Sequence, residues 1–345
     1  MKKVMPVFIA IFFILFNCIY CDKNGEKTFY SLYTLEDSLS LEFTSESVVS
    51  IVWNILFNEE NIYIIQSKNI LMYDSNGKFI KKMERIGNGP GEYMEITWAD
   101  LNPGKQIVVY DNTLKKIIIF DSTLVFKEEY FFREESKNYL SFVVDKNLNY
   151  YFYNRDIFSN PLTIDVYNVQ CIYIKSYCKF PYNSMIQHRL GGNRNLVYAS
   201  DENKLFITHI YDPIIKMVDL NLQKELPPII LKNDFWKPVD EQTVRTLFPL
   251  PSANPRPLYK YLKNKVKIWR LFYAGNGKIL IEYWLPGRKF ILQLYDSNKN
   301  VVVHRCTIPK KLGEVEAVKD NYLYFIKFHS NDPDKNPSIL KFKIN

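Results

Sequence analysis

The chain has 345 residues, 16% of them aromatic, and 45 Lys and Arg against 37 Asp and Glu, a formal net charge of +8. That length and apolar content can bury a large core, which excludes a disordered chain and a small disulfide-stapled scaffold. The positive charge is spread without a run of five or six like residues, which argues against nucleic acid as a partner.

At the N-terminus, Lys2 and Lys3 precede an apolar run from Val7 to Phe16. This has the charge and length of a signal-peptide core and is too short to span a bilayer. Cys18 and Cys21 follow, and a cysteine directly behind such a run resembles a bacterial lipoprotein site, where the chain is cut and a lipid attached. Asn17 or Tyr20 stands before them, where such sites prefer a small residue. The expectation is a signal over residues 1–21, with Cys18 or Cys21 as the lipidation site. A single domain over 22–345 follows, exported to the cell envelope. It is either lipid-anchored there or periplasmic or secreted, and the anchor is its one link to a membrane. Without Lys2 and Lys3 the balance is 43 basic against 37 acidic residues, or +6.

From Asn61 onward the chain repeats one phrase six times: a short apolar strand, a break, a second strand closing on Asp or Asn, a turn, and a third strand. The copies begin at Asn61, Gln106, Leu148, Lys204, Lys278 and Tyr322. The closing residues Asp74, Asp121, Asn168, Asp219 and Asp296 lie 47, 47, 51 and 77 residues apart. A short side-chain oxygen there can accept from the backbone two residues on and start a tight turn, so the recurrence is structural. Strands at this period predict an all-β, six-bladed β-propeller, with the repeated phrase forming the outer three strands of each blade. The innermost strands are then Val49–Phe57, Ile96–Leu101, Leu140–Asp145, Asn195–Ser200, Ile268–Ala274 and Val315–Lys319. Runs such as IVVY (107–110) and KIIIF (116–120) lack alternation and are expected to be covered on both faces by neighbouring blades. The last blade lacks its outer strand. An N-terminal strand, Leu39–Thr44 or Phe29–Leu35, is expected to supply it and leave no open edge.

The 77-residue interval carries an insert over 232–265. It holds Phe235, Trp236, Tyr259 and Tyr261, with seven Lys and Arg against Asp234, Asp240 and Glu241, a net of +4. One helix is expected in it, Val239–Phe248, after Lys237-Pro238. In a propeller this connection lies on the face around the channel mouth. The loop carrying His188, Arg189 and Arg194 is expected there too, so the mouth should be basic and aromatic. Either the insert caps the channel or Trp236, Arg256 and Tyr259 contact a ligand.

Between blades 1 and 2 stands Gly87-Asn88-Gly89-Pro90-Gly91-Glu92-Tyr93. Its glycines and proline dictate a turn with positive φ angles, and it lacks the Lys-Ser/Thr and helix of a phosphate loop. Glu92 and Tyr93 either face a ligand at the mouth, or Glu92 accepts from its own turn while Tyr93 packs between blades. Here, and at Tyr73–Lys78 (YDSNGK), the chain resembles a Bacteroidota family of signal-bearing or lipid-anchored 6-bladed β-propeller proteins with a G-x-G-P-G-E-Y/F stretch after the first blade. The resemblance spans the mature chain and implies the propeller fold, without implying an activity.

No catalytic motif for nucleophile or metal chemistry is present, and no cofactor is expected. His209 and His329 close second strands of blades 4 and 6 and are the candidate metal ligands; His304 falls in an outer strand. Cys171, Cys178 and Cys306 have no metal or disulfide spacing and read as small apolar residues. The expected function is non-catalytic binding or scaffolding at the envelope, engaging a protein partner or an anionic polysaccharide through the basic, aromatic face. The alternative is a channel-centred, metal-dependent lyase or glycan hydrolase using His209, His329, Asp100 and Asp145.

Overall fold

The computed structural model describes residues 28–345, apart from 134–137, 155–163, 179–194, 238, 248–253, 255, 288 and 330–334. Six four-stranded antiparallel sheets follow one another in chain order, each built from inside outward. Blade 1 is β2 (Asn54–Phe57), β3 (Asn61–Ile65), β4 (Ile70–Asp74) and β5 (Phe79–Met83). Blades 2 to 5 repeat the plan, starting from inner strands β6 (Trp98–Leu101), β10 (Tyr139–Val144), β14 (Leu196–Ala199) and β18 (Lys267–Tyr273). Blade 6 joins β22 (Val315–Lys319), β23 (Tyr322–Lys327) and β24 (Ser338–Ile344) to an N-terminal strand, β1 (Tyr33–Ser40).

The repeated Asp and Asn do what their spacing predicts. Asp74, Asp121 and Asn168 each accept, through Oδ1, the backbone N–H two residues and four residues on, at 2.9–3.0 Å. Asp219 and Asp296 accept from the residues two and three on, at 2.9–3.0 Å. Each oxygen satisfies two amides that the strand ladder cannot reach.

The core is divided into wedges. Six apolar clusters lie one between each pair of neighbouring blades, including blades 6 and 1. This is why Ile107–Asp111 and Lys116–Phe120 are buried at every position, since each blade is covered on both faces. Cys171, Cys178 and Cys306 are free thiols packed in three different wedges. Burial pushes Cys178 and Cys306 up to about 12, so they behave as small apolar side chains.

Ring closure uses β1, paired with β24 from Tyr33↔Ile344 to Ser40↔Ser338. This strand straddles the two expected segments. Residues Phe29–Leu32 are instead a helical turn, α1, because Phe29 is needed as an anchor between blades 5 and 6, edge-on to Phe325 and Phe342. Tyr33 is fully buried there, and its hydroxyl meets His304 Nε2 at 2.9 Å, which gives that outer-strand histidine a role in the seam.

The insert holds two helices, α2 (Glu241–Leu247) and α3 (Arg256–Leu262). Asp240 caps α2, its Oδ2 accepting from Thr243 N at 2.8 Å. The second helix was not expected; Pro257 occupies its first turn, where the missing N–H costs nothing. Val239, Val244, Leu258 and Leu262 bury against Ile210 and Tyr211 of blade 4. The insert is therefore hung on blade 4, and none of its described residues lines the channel cavity. No helix among the described residues is long and apolar enough to cross a membrane.

Candidate functional site

The inner strands of all six blades enclose a channel cavity of about 260 Å³. Its ionisable lining residues are Asp100, Glu316 and Lys319. Asp100 accepts from Leu101 N at 2.8 Å, and burial pushes it up to about 7. Lys319 donates to Phe57 O at 3.3 Å. Glu316 pairs with Arg270 at 3.3 Å.

Arg270 is almost fully covered and stands among three carboxylates: Glu314 at 2.6 Å, Glu316, and Glu282 at 3.9 Å. Glu282 Oε1 accepts from Val315 N at 3.0 Å, while burial, outweighing Arg270, pushes the carboxyl up to about 8. Glu314 also accepts from Trp269 Nε1 at 2.8 Å. This cluster ties blade 5 to blade 6. Asp145, the other acid considered for channel chemistry, is buried and bound to Asn147 N, Asn149 N and Tyr151 OH at 2.8–2.9 Å.

A second cavity, of about 550 Å³, opens between blades 4 and 5, on the side where inner strands begin and second strands end. Three ammonium side chains line it, Lys263 and Lys265 from the insert and Lys267 from the start of β18. Opposite stand Trp284, Leu285, Pro286 and Gly287, where the second strand of blade 5 (Lys278–Leu285) turns back, together with Tyr211 and Tyr259. The Lys267 ammonium lies 3.7 Å from the Trp284 ring centroid and 4.7 Å from that of Trp269. Burial lowers Lys267 to about 8, with Glu314 opposing the shift, so it remains cationic at neutral pH. Lys265 lies 4.8 Å from the Tyr261 ring. Among the described residues no carboxylate lines this cavity.

The residues singled out from sequence fall in different places. Tyr259, 40% exposed, lines the cavity. Arg256 is exposed at the start of α3 and outside the lining. Trp236 is half-buried in the wedge between blades 4 and 5, edge-on to Tyr283 at 6.3 Å. His188, Arg189, Arg194, Cys18 and Cys21 lie outside the described residues.

Glu92 and Tyr93 are engaged between blades 1 and 2. Glu92 Oε2 accepts from Gly89 N at 2.8 Å, within its own turn. Tyr93 is fully buried, and its hydroxyl donates to Lys68 O at 3.1 Å and Met83 O at 3.3 Å. The same turn is clamped by Glu129, which accepts from Gly91 N at 3.1 Å and pairs with the wholly buried Lys116 at 2.8 Å.

His209 is fully buried, and burial lowers it to about 3, so it is neutral. Its Nδ1 accepts from Tyr211 N at 3.2 Å, which holds one wall of the cavity. His329 Nε2 meets Ser338 Oγ at 3.0 Å in blade 6. Each of the two is thus engaged within its own blade. Among the described residues no group of three or more His, Cys, Asp or Glu could hold a metal ion.

Lys267 and Trp284 were not singled out from sequence. The available signal was the run Trp-Leu-Pro-Gly at the end of the second strand of blade 5.

A family profile described as "6-bladed beta-propeller" matches residues 16–227. A Bacteroides fragilis "Putative exported protein" is 14% identical over 92% of this chain and 97% of its own, with a TM-score of 0.73. A Bacteroides vulgatus member of the DUF4221 family is 13% identical over 91% and 98%, with a TM-score of 0.65. At such identities the likeness shows the fold alone. No curated protein matches the sequence.

Proposed function

Since this chain belongs to the 6-bladed beta-propeller family DUF5128, we propose that it is a non-catalytic binding propeller of the cell envelope that engages an anionic partner through the basic, aromatic face beside blades 4 and 5. The observation that carries this reading is the cavity lined by Lys263, Lys265, Lys267, Tyr259 and Trp284, with no carboxylate among them. Ammonium groups fixed beside aromatic faces attract anions, and partial burial strengthens the attraction relative to bulk water. The signal-like N-terminus and the name of the Bacteroides fragilis neighbour support an exported protein. A lipid anchor at Cys18 or Cys21 would hold the propeller at the membrane, with a protein or an acidic polysaccharide as the partner.

The test is capture from envelope extract by the immobilised mature chain, compared with its Lys263→Gln/Lys265→Gln variant. Capture that falls with added salt and is lost in the variant is expected. Equal capture by both refutes the reading. A stoichiometric metal that disappears in His209→Ala/His329→Ala would also refute it, in favour of a channel-centred lyase or glycan hydrolase.

A further inference from the structure

The lining of the cavity between blades 4 and 5 is chemically narrow. Apart from the three ammonium groups and the hydroxyls of Tyr211 and Tyr259, its side chains are apolar: Leu262, Trp284, Leu285 and Pro286. Among its described lining residues there is no Asn, Gln, Ser, Thr, Asp or Glu. That composition selects among anions. A hydroxyl-rich sugar brings many donors, and a site without amide or carboxylate acceptors would leave them unpaired, at about 1–3 kcal/mol for each buried one. A peptide segment brings backbone amides with the same need. An organic acid with a flat apolar body brings only acceptors at its head and needs nothing polar around its body.

The geometry fits such a molecule. A cavity of about 550 Å³ is in the size range of small-molecule sites. Lys267 is held over Trp284 at 3.7 Å, so its ammonium is oriented before a ligand arrives and little side-chain entropy remains to be lost. The wall at Gly287 is open, since a Cβ there would meet nothing within 4 Å. Tyr259 presents an exposed ring on the insert side.

We propose that this cavity binds a small amphipathic organic anion: a carboxylate, sulfonate or phosphate head held by Lys263, Lys265 and Lys267, and a flat apolar body held by Tyr259, Trp284 and Pro286. The inference rests on the binding reading above and narrows its anionic partner, at this cavity, to a small molecule in place of the protein or polysaccharide considered there.

The test is equilibrium dialysis of the mature chain against 2-naphthoate and its neutral twin 2-naphthamide, which share a body and differ in charge. Naphthoate is expected to bind at least ~10-fold more tightly, a discrimination of about 1.4 kcal/mol. Lys263→Gln, at an exposed position, is expected to weaken naphthoate several-fold and leave naphthamide unchanged, and Lys265→Gln/Lys267→Gln to weaken naphthoate further. The single variant keeps the test decisive if the double variant folds poorly. Equal binding of acid and amide, no binding of either at millimolar concentration, or naphthoate affinity indifferent to Lys263→Gln overturns the proposal. Displacement by sodium polygalacturonate at matched carboxylate concentration also overturns it, because the apolar body would then be unnecessary. If naphthoate fails while envelope capture stays lysine-dependent, only the ligand class falls. If naphthoate binds while capture ignores the lysines, the broader reading falls instead.

Discussion

Replacing Gly91 by alanine separates two costs that are usually entangled. Gly91 has φ +69°, and a Cβ there would lie 2.6 Å from Cδ2 and 2.7 Å from Cγ of the Phe126 ring. Gly287 has φ +82° and meets nothing within 4 Å. Both substitutions force an L-residue into the left-handed region, at about 1–2 kcal/mol. Only Gly91→Ala adds overpacking against a ring already fixed between blades 1 and 2, about 1–3 kcal/mol more. The expected losses are therefore about 1–2 kcal/mol for Gly287→Ala and about 2–5 kcal/mol for Gly91→Ala. Urea unfolding followed by far-UV circular dichroism, with the m-value monitored for constancy, measures both. Gly91→Ala/Phe126→Ala adds a check: removing the ring removes the clash, so the two losses should couple and fall short of their sum. Equal losses for the two single glycine variants would refute the claim that the Gly87–Tyr93 turn is specified by packing against blade 2. Additivity in the double variant would refute it as well.

Lys116 is wholly buried and paired with Glu129, which is 16% exposed. Glu129→Ala strands a buried cation and is expected to cost about 3–5 kcal/mol, more than Lys116→Met, which leaves a carboxylate that can turn to water; urea midpoints in the reverse order refute this. Glu282 is raised to about 8 by burial, so the folded chain keeps a proton that the unfolded chain loses near pH 4.5. Its contribution to stability is present at low pH and disappears as pH rises through 8, and Glu282→Gln, which mimics the protonated acid, removes that dependence. The stability of the variant minus that of the parent should grow by about 1 kcal/mol or more from pH 5 to pH 8; a flat difference refutes the assignment.

What the sequence made legible is the part governed by local chemistry. An Asp or Asn at a turn needs only its own next four residues, so the anchors at Asp74, Asp121, Asn168, Asp219 and Asp296 located the blades without reference to anything distant. The ends of β1 were not legible, because an edge strand takes its limits from its partner. Tyr33 begins it because Ile344 lies opposite and Phe29 is claimed by the wedge between blades 5 and 6. Glu92 and Tyr93 show a different limit. The same two residues suit a ligand or a turn, and the turn they occupy is closed over Gly89 and Gly91 by Lys116 and Glu129, more than 20 residues away.

The basic, aromatic face beside blades 4 and 5 was legible as a composition and not as a place. Each of its three segments has a sufficient local reason to exist. Tyr211 sits in a turn held by His209, Lys267 opens a strand, and Trp284 closes one. Only their convergence is unusual, and convergence is a property of the ring. In a closed propeller the six seams are filled with apolar side chains, so a cavity on this face requires a wall raised above them. The insert supplies that wall, because Leu258 and Leu262 bind it to Ile210 and Tyr211 of blade 4 rather than to the channel. A charge read as belonging to the channel mouth is thereby displaced sideways onto the boundary between blades 4 and 5. A ligand of the proposed class should accordingly be insensitive to Asp100 and Glu316 on the axis and sensitive to Lys263 and Lys265 on the insert.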